Sequence, residues 1–207
     1  MGEKTRTGSD GKAARAWDHD PPAKAKLVPF GFLVLGTGAL MLIFGLKETS
    51  DSWVDALQMW WGLVREGFSH IQRLVIYLDN GPNNSGRRTQ FLKRMVQFAD
   101  WSGLEIHLVF YPPYHSKYNP VERCWSALER KWSGVLLNCV WFVLECARRM
   151  TWKGQSPEVH QLPDREYPTG VKLSKRAMTS WESRLHRKPG LEKYDITITP
   201  QPSTPAV

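Results

Sequence analysis

The sequence predicts an α/β fold, and three stretches carry that prediction. Leu74 to Leu78 is a continuous apolar run, which suits a strand buried on both faces of a sheet. Apolar residues at 91, 92, 95, 98 and 99 share one helical face over Arg87 to Ala99, and Gly103 closes that helix. Leu104 to Phe110 reads as a second strand, stopped by Tyr111-Pro112-Pro113, which cannot continue a ladder. Asp79 ends the first strand, because Asn80-Gly81-Pro82 forces a turn there. The carboxyl ends of strands are where open α/β sheets bind ligands.

The other elements follow in chain order. Residues 1–26 are polar, rich in Gly, Lys and Ala, and lack the apolar core of a secretory signal, so they are expected to be loosely ordered. Leu27 to Leu46 carries no charge and is long enough to span a bilayer. Pro29 and four glycines argue against a span, and Gly36-Thr37-Gly38 divides the run into halves of strand length. A hairpin buried under helices is therefore favoured over a membrane anchor.

Thr49-Ser50-Asp51 offers an N-cap for a helix with apolar positions at Val54, Leu57, Trp60, Trp61 and Val64, ended by Gly67. Asn119-Pro120 supplies an N-cap and a first-turn proline for a helix reaching Trp132 before Gly134. Leu136 to Met150 has the spacing of a further amphipathic helix, with Arg148-Arg149 in its last turn. Residues 153–170 read as a loop, and a last helix is expected near Ser174 to Arg187. The expected organisation is a loose segment 1–26, a core 27–152, a basic extension 153–198 with one helix, and a disordered tail 199–207.

Asp79 and Glu122 are the candidates for chemistry, one at a strand end and one in the first turn of a helix. Each has a plainer alternative: Asp79 as an ordinary turn residue before Asn-Gly, Glu122 as a capping-box glutamate bonded back to the Asn119 amide. The formal charge of +8 suits a polyanionic partner, although a solvated basic face gives the same count. Gly170 to Lys193 holds seven Lys or Arg against two acids, which makes it the best phosphate-contacting stretch. Cys124, Cys139 and Cys146 lack metal-ligand spacing and read as reduced packing residues of a cytosolic protein.

Two motifs then point to a family. Asp79-Asn80-Gly81-Pro82-x-Asn84, and Tyr111-Pro112-Pro113-Tyr114-His115-Ser116-Lys117-Tyr118-Asn119-Pro120-Val121-Glu122-Arg123-Cys124-Trp125, closely resemble the DDE transposases of bacterial insertion sequences. The best likeness is to the Rhodopirellula-type DDE domain, a relative of the mariner-like enzymes. It takes in Asp18-His19-Asp20, Trp60-Trp61, Met150-Thr151-Trp152-Lys153-Gly154 and Thr169-Gly170-Val171-Lys172-Leu173.

The resemblance implies a ribonuclease-H-like mixed sheet flanked by helices, with Asp79 as the second acid of the catalytic triad and Glu122 as the third. It implies Mg2+ or Mn2+ in a two-metal site, and DNA at transposon ends as partner. A homodimer is also expected, as is a cytoplasmic, nucleoid-associated location. Two such ions about 4 Å apart activate an attacking water or 3′-hydroxyl and stabilise the leaving oxygen. Lys117, Arg87, Arg88, Lys172, Lys175 and Arg176 are the candidate phosphate contacts, with His115 near the metal or scissile phosphate; a hydrogen-bonded loop histidine and a solvated lysine are the plainer alternatives for His115 and Lys117.

The first strand of such a fold, with the first acid, should precede the hairpin, where residues 1–20 show no strand pattern. Asp10, Asp18 and Asp20 stand as substitutes, but none follows an apolar strand. The expectation is a truncated, inactive copy lacking the first acid. The competing readings are a DNA-binding remnant without cleavage, a membrane-anchored small protein using residues 27–46, and a structure-specific nuclease on the same fold.

Overall fold

A computed structural model describes residues 26–112, 118–134, 137 and 139–201. The architecture is mixed α/β, with two mixed sheets flanked by helices. The uncharged run at 27–46 is a hairpin: β1 (Val28–Leu33) pairs antiparallel with β2 (Leu40–Gly45). Gly38, at φ 76°, supplies the left-handed residue that the turn needs. No helix among the described residues is long and apolar enough to cross a membrane.

Every residue of β2 is buried. Met41 and Ile43 face one apolar cluster, while Leu40, Leu42 and Phe44 face the other. Burying side chains of this size stabilises by about 1.5–3 kcal/mol each. That two-faced burial explains why the strand reads as an unbroken apolar run.

Helix α1 (Ser50–Val64) starts where the sequence indicates. Thr49 accepts from the Ser52 amide, and the Ser52 hydroxyl accepts from the Thr49 amide, a reciprocal capping box. A 3-10 turn (Arg65–Phe68) leads on to β3 (Arg73–Leu78), α2 (Thr89–Ser102) and β4 (Glu105–Phe110). Strands β3 and β4 pair in parallel. Gly103 caps α2 at φ 71°, as expected for a glycine stop. Helix α1 packs on β1, β2 and α2, and α2 packs on β4, so the helix pair bridges the two sheets.

One expectation about β3 needs correction. It is not buried on both faces: Val75 is 40% and Tyr77 45% exposed. Among the described residues β3 pairs only with β4, so it stands at the edge of its sheet.

Helices α3 (Pro120–Trp132) and α4 (Val140–Arg148) follow. They pack on β1 and β5 and close the second apolar cluster around Cys124, Leu128 and Ala147. Helix α4 is shorter than the amphipathic spacing suggested. Burial holds the Cys124 thiol up at about 11, in keeping with a packing role. Cys139, by contrast, is exposed.

The stretch 153–198 contributes more than its one helix, α5 (Lys175–Glu182). β5 (Glu158–Gln161) joins β2 in parallel, giving the sheet order β1-β2-β5. β6 (Leu185–Arg187) and β7 (Asp195–Ile198) complete the other sheet in the order β3-β4-β7-β6. The expected helix to Arg187 therefore ends early. Leu185 to Arg187 pair with β7 instead, while Arg184 turns to Asp100 at 2.7 Å.

Candidate active site

β3 delivers Asp79, and the loop behind it is pinned from three sides. Ser50 Oγ, at the start of α1, donates to the Asn83 carbonyl at 2.7 Å. Asn83 Nδ2 donates to the Glu48 carbonyl at 3.2 Å, and Arg187 Nη1 donates to the Gly86 carbonyl at 3.1 Å. Asn80 has φ 62°, the left-handed region that asparagine enters more readily than most side chains, and this turns the chain directly after the acid. A Cβ on Gly81 would lie 2.9 Å from Asn84 Oδ1 and 3.5 Å from both carboxylate oxygens of Asp79. Glycine there keeps the space around the acid open.

Asn84 Nδ2 donates to Asp79 Oδ1 at 3.1 Å. The opposite atom of that amide, Asn84 Oδ1, is buried and has no hydrogen-bond partner among the described residues. An amide thus orients the Asp79 carboxylate and presents a second oxygen beside it.

Glu122 comes from the other side, in the first turn of α3. Asn119 is buried and extended as the N-cap, but its side chain makes no capping bond, and the Glu122 backbone N–H donates to the Asn119 carbonyl at 3.1 Å. Among the described residues the Glu122 carboxylate does not bond back to the Asn119 amide, so the capping-box alternative fails. Its pKa is raised, first by desolvation on burial and second by the negative charge of Asp79.

Carboxylate and amide oxygens are the donors that hard divalent cations take, with waters completing the shell. Asp79, Glu122 and Asn84 Oδ1 offer donor atoms of that chemistry. Among the described residues there is no cluster of three or more His, Cys, Asp or Glu that could hold a metal.

Residues 1–200 match the family described as the Rhodopirellula transposase DDE domain. The chain belongs to that family. No curated protein and no solved structure matches it. The two motifs that carry the resemblance to DDE transposases are those that place Asp79 with Asn84, and Glu122 on α3.

The candidate basic residues of this transposase domain lie on two segments that one hydrogen bond joins. The Leu173 N–H donates to Thr89 Oγ1 at 2.9 Å, which ties the segment after Lys172 to the amino end of α2, where Arg87 and Arg88 precede Thr89. The helix opens at Thr89 and not at Arg87; Arg88 is its N-cap, and Arg88 Nε is buried without a partner among the described residues. Lys172, Lys175, Arg176 and Arg87 are exposed. His115 and Lys117 lie outside the described residues, as do Asp10, Asp18 and Asp20. The role of Asn84 was not read from the sequence, although the residue stood in the quoted motif; only its folded contact with Asp79 reveals it.

Proposed function

We propose that this DDE domain serves metal-dependent cleavage and transfer of DNA strands on a ribonuclease-H-like core. Asp79 and Glu122 would be two of its metal ligands, with a third carboxylate coming from outside the described residues. The observation that supports this reading is that Glu122, in the first turn of α3, has its pKa raised first by desolvation and second by the charge of Asp79, at the end of β3. A bound Mg2+ or Mn2+ pair would supply Lewis-acid activation of a water or 3′-hydroxyl and stabilise the leaving oxygen.

The chain's own residues do the positioning. Asn84 fixes the Asp79 carboxylate by its 3.1 Å bond, and α3 fixes Glu122. Arg87, Arg88, Lys172, Lys175 and Arg176 would hold backbone phosphates beside the loop that follows Asp79, with His115 and Lys117 as further candidates. Raised basicity at Glu122 is what a cation would relieve, since a nearby positive charge favours the ionised form.

A second reading, DNA binding without cleavage, draws on the lack of a three-acid cluster among the described residues. One pair of measurements separates the two. Mn2+ binding to the 207-residue chain should weaken at least about tenfold in Asp79→Asn and in Glu122→Gln, as expected for loss of one charged ligand. Unchanged Mn2+ affinity in both variants would refute the metal reading. Mg2+- or Mn2+-dependent nicking of terminal-repeat DNA by the same chain would refute binding without cleavage.

A further inference from the structure

The turn between β6 and β7 projects from the end of the sheet that carries Asp79. β7 runs antiparallel to β4, with Asp195 opposite Val109, and β4 runs parallel to β3. The chain therefore leaves β6 and enters β7 where β3 and β4 finish. In the strand order β3-β4-β7-β6, β7 stands two strands from β3, roughly 10 Å at the usual strand spacing.

We propose that this turn is a DNA wedge: Leu191 inserts between stacked base pairs from the minor groove, and Lys188 and Lys193 take the phosphates on either side. The inference rests on the DNA reading of the site. To that reading it adds a residue that unstacks the duplex within about three base pairs of the phosphate held at the acids.

The turn is stiff. The Leu191 N–H donates to the Lys188 carbonyl at 2.9 Å across Pro189 and Gly190, and Gly190, at φ 80°, supplies the left-handed residue that such a turn needs after its proline. The Tyr194 and Asp195 N–H groups both donate to the Leu191 carbonyl, at 2.8 and 2.9 Å. Leu191 is thus the junction of two consecutive turns, with its backbone bonded on both sides.

Arg187 stitches the turn to the site. Its guanidinium donates to the Glu192 carbonyl at 2.7 Å, to the Gly86 carbonyl at 3.1 Å and to Glu182 of α5 at 2.5 Å. A Cβ on Gly86 would run into the Lys193 carbonyl, and the Phe110 N–H at the end of β4 donates to the Tyr194 carbonyl at 2.8 Å. Gly86 closely follows Asn84, whose amide holds Asp79, so the turn and the acid share one loop.

One apolar side chain faces outward from this frame: Leu191 is 43% exposed. An isolated exposed leucine is ordinary. This one tops a doubly bonded turn, between two exposed lysines, at the sheet end that carries Asp79. Glu192, the acid of the turn, accepts from the Gly190 N–H at 2.9 Å, which satisfies its charge within the turn. Apolar wedges flanked by phosphate-binding lysines are how proteins unstack a base step.

The test is binding of two short duplexes by the full 207-residue chain, one fully paired and one with a single central mismatch. A mismatch has already given up part of its stacking, so the parent should prefer it by at least about fivefold. Leu191→Ala should bind both duplexes alike, with the salt dependence and the Mn2+ affinity of the parent, and Leu191→Met should keep the preference. Lys188→Gln with Lys193→Gln should keep the preference and lower the log-log salt slope by up to about two units.

A parent that binds both duplexes equally, or a Leu191→Ala chain that still prefers the mismatch, would overturn the wedge and leave the DNA reading intact. An unchanged slope in the double lysine variant would overturn the flanking contacts. A parent that binds neither duplex would overturn the wedge and the DNA reading together.

Discussion

Asp55 is the anchor whose removal should cost most for a single polar atom group. Its Oδ1 receives Arg94 Nη2 at 2.5 Å, and its Oδ2 receives Arg165 Nη1 at 2.8 Å and the Tyr167 hydroxyl at 2.9 Å. The three partners are not equal. Arg165 is 58% exposed, so its pair is worth about 0–1 kcal/mol. Tyr167 is 3% exposed, and a hydroxyl left without its acceptor there costs about 1–2 kcal/mol.

Arg94 is 15% exposed and keeps Asp51 at 3.3 Å, which softens the loss of a partner that would otherwise approach 3–5 kcal/mol. Asp55→Ala should therefore destabilise the domain by about 2–4 kcal/mol. Urea denaturation would show it as a lower midpoint with an unchanged slope. A loss below about 0.5 kcal/mol, the scatter expected of an ordinary surface change, would refute the assignment of this cluster as the tie between α1, α2 and the 165–167 segment.

Three other outcomes follow from the same structure. Gly86→Ala drives a Cβ into the Lys193 carbonyl oxygen, a backbone atom that cannot swing aside, so about 1–3 kcal/mol of stability should be lost in urea melts; an unaffected melt would show the contact to be slack. The Glu122 carboxyl binds its proton more tightly in the folded chain than in the unfolded one. Its stabilising contribution is therefore present below the ordinary carboxylate value and is lost as pH rises through the raised folded value. Glu122→Gln should accordingly gain stability relative to the parent as pH climbs through that window, and a pH-independent difference would contradict this. Replacing Lys172, Lys175 and Arg176 by Gln should flatten the dependence of DNA affinity on salt by up to about three units of log-log slope, and an unchanged slope would remove them from the DNA face.

The local punctuation of the chain was legible because caps and turns act within a few residues. Thr49, Gly103 and Asn119-Pro120 each fixed an element boundary that the structure repeats. The hairpin was legible from Gly36-Thr37-Gly38 despite a hydropathy that suits a membrane.

What escaped depends on distant pairing. Nothing within Glu158–Gln161 announces a parallel partner more than a hundred residues earlier. Leu185 to Arg187 carries helical spacing that its ladder with β7 overrides. β3 reads as doubly buried because every residue from Leu74 to Leu78 is apolar, yet it is an edge strand and every second residue from Arg73 to Tyr77 is exposed. At the site, the two acids were visible as residues. The orienting amide of Asn84 was not, since its contact with Asp79 is a product of folding.

The account rests on Asp79 and Glu122 sharing one electrostatic environment, and a carbon-detected NMR titration of the Glu122 side-chain carboxyl reads that directly. In the parent chain its midpoint should lie above the ordinary value of 4.5, and in Asp79→Asn it should move down toward it. A midpoint that does not move on removal of the Asp79 charge would show that the two acids do not meet.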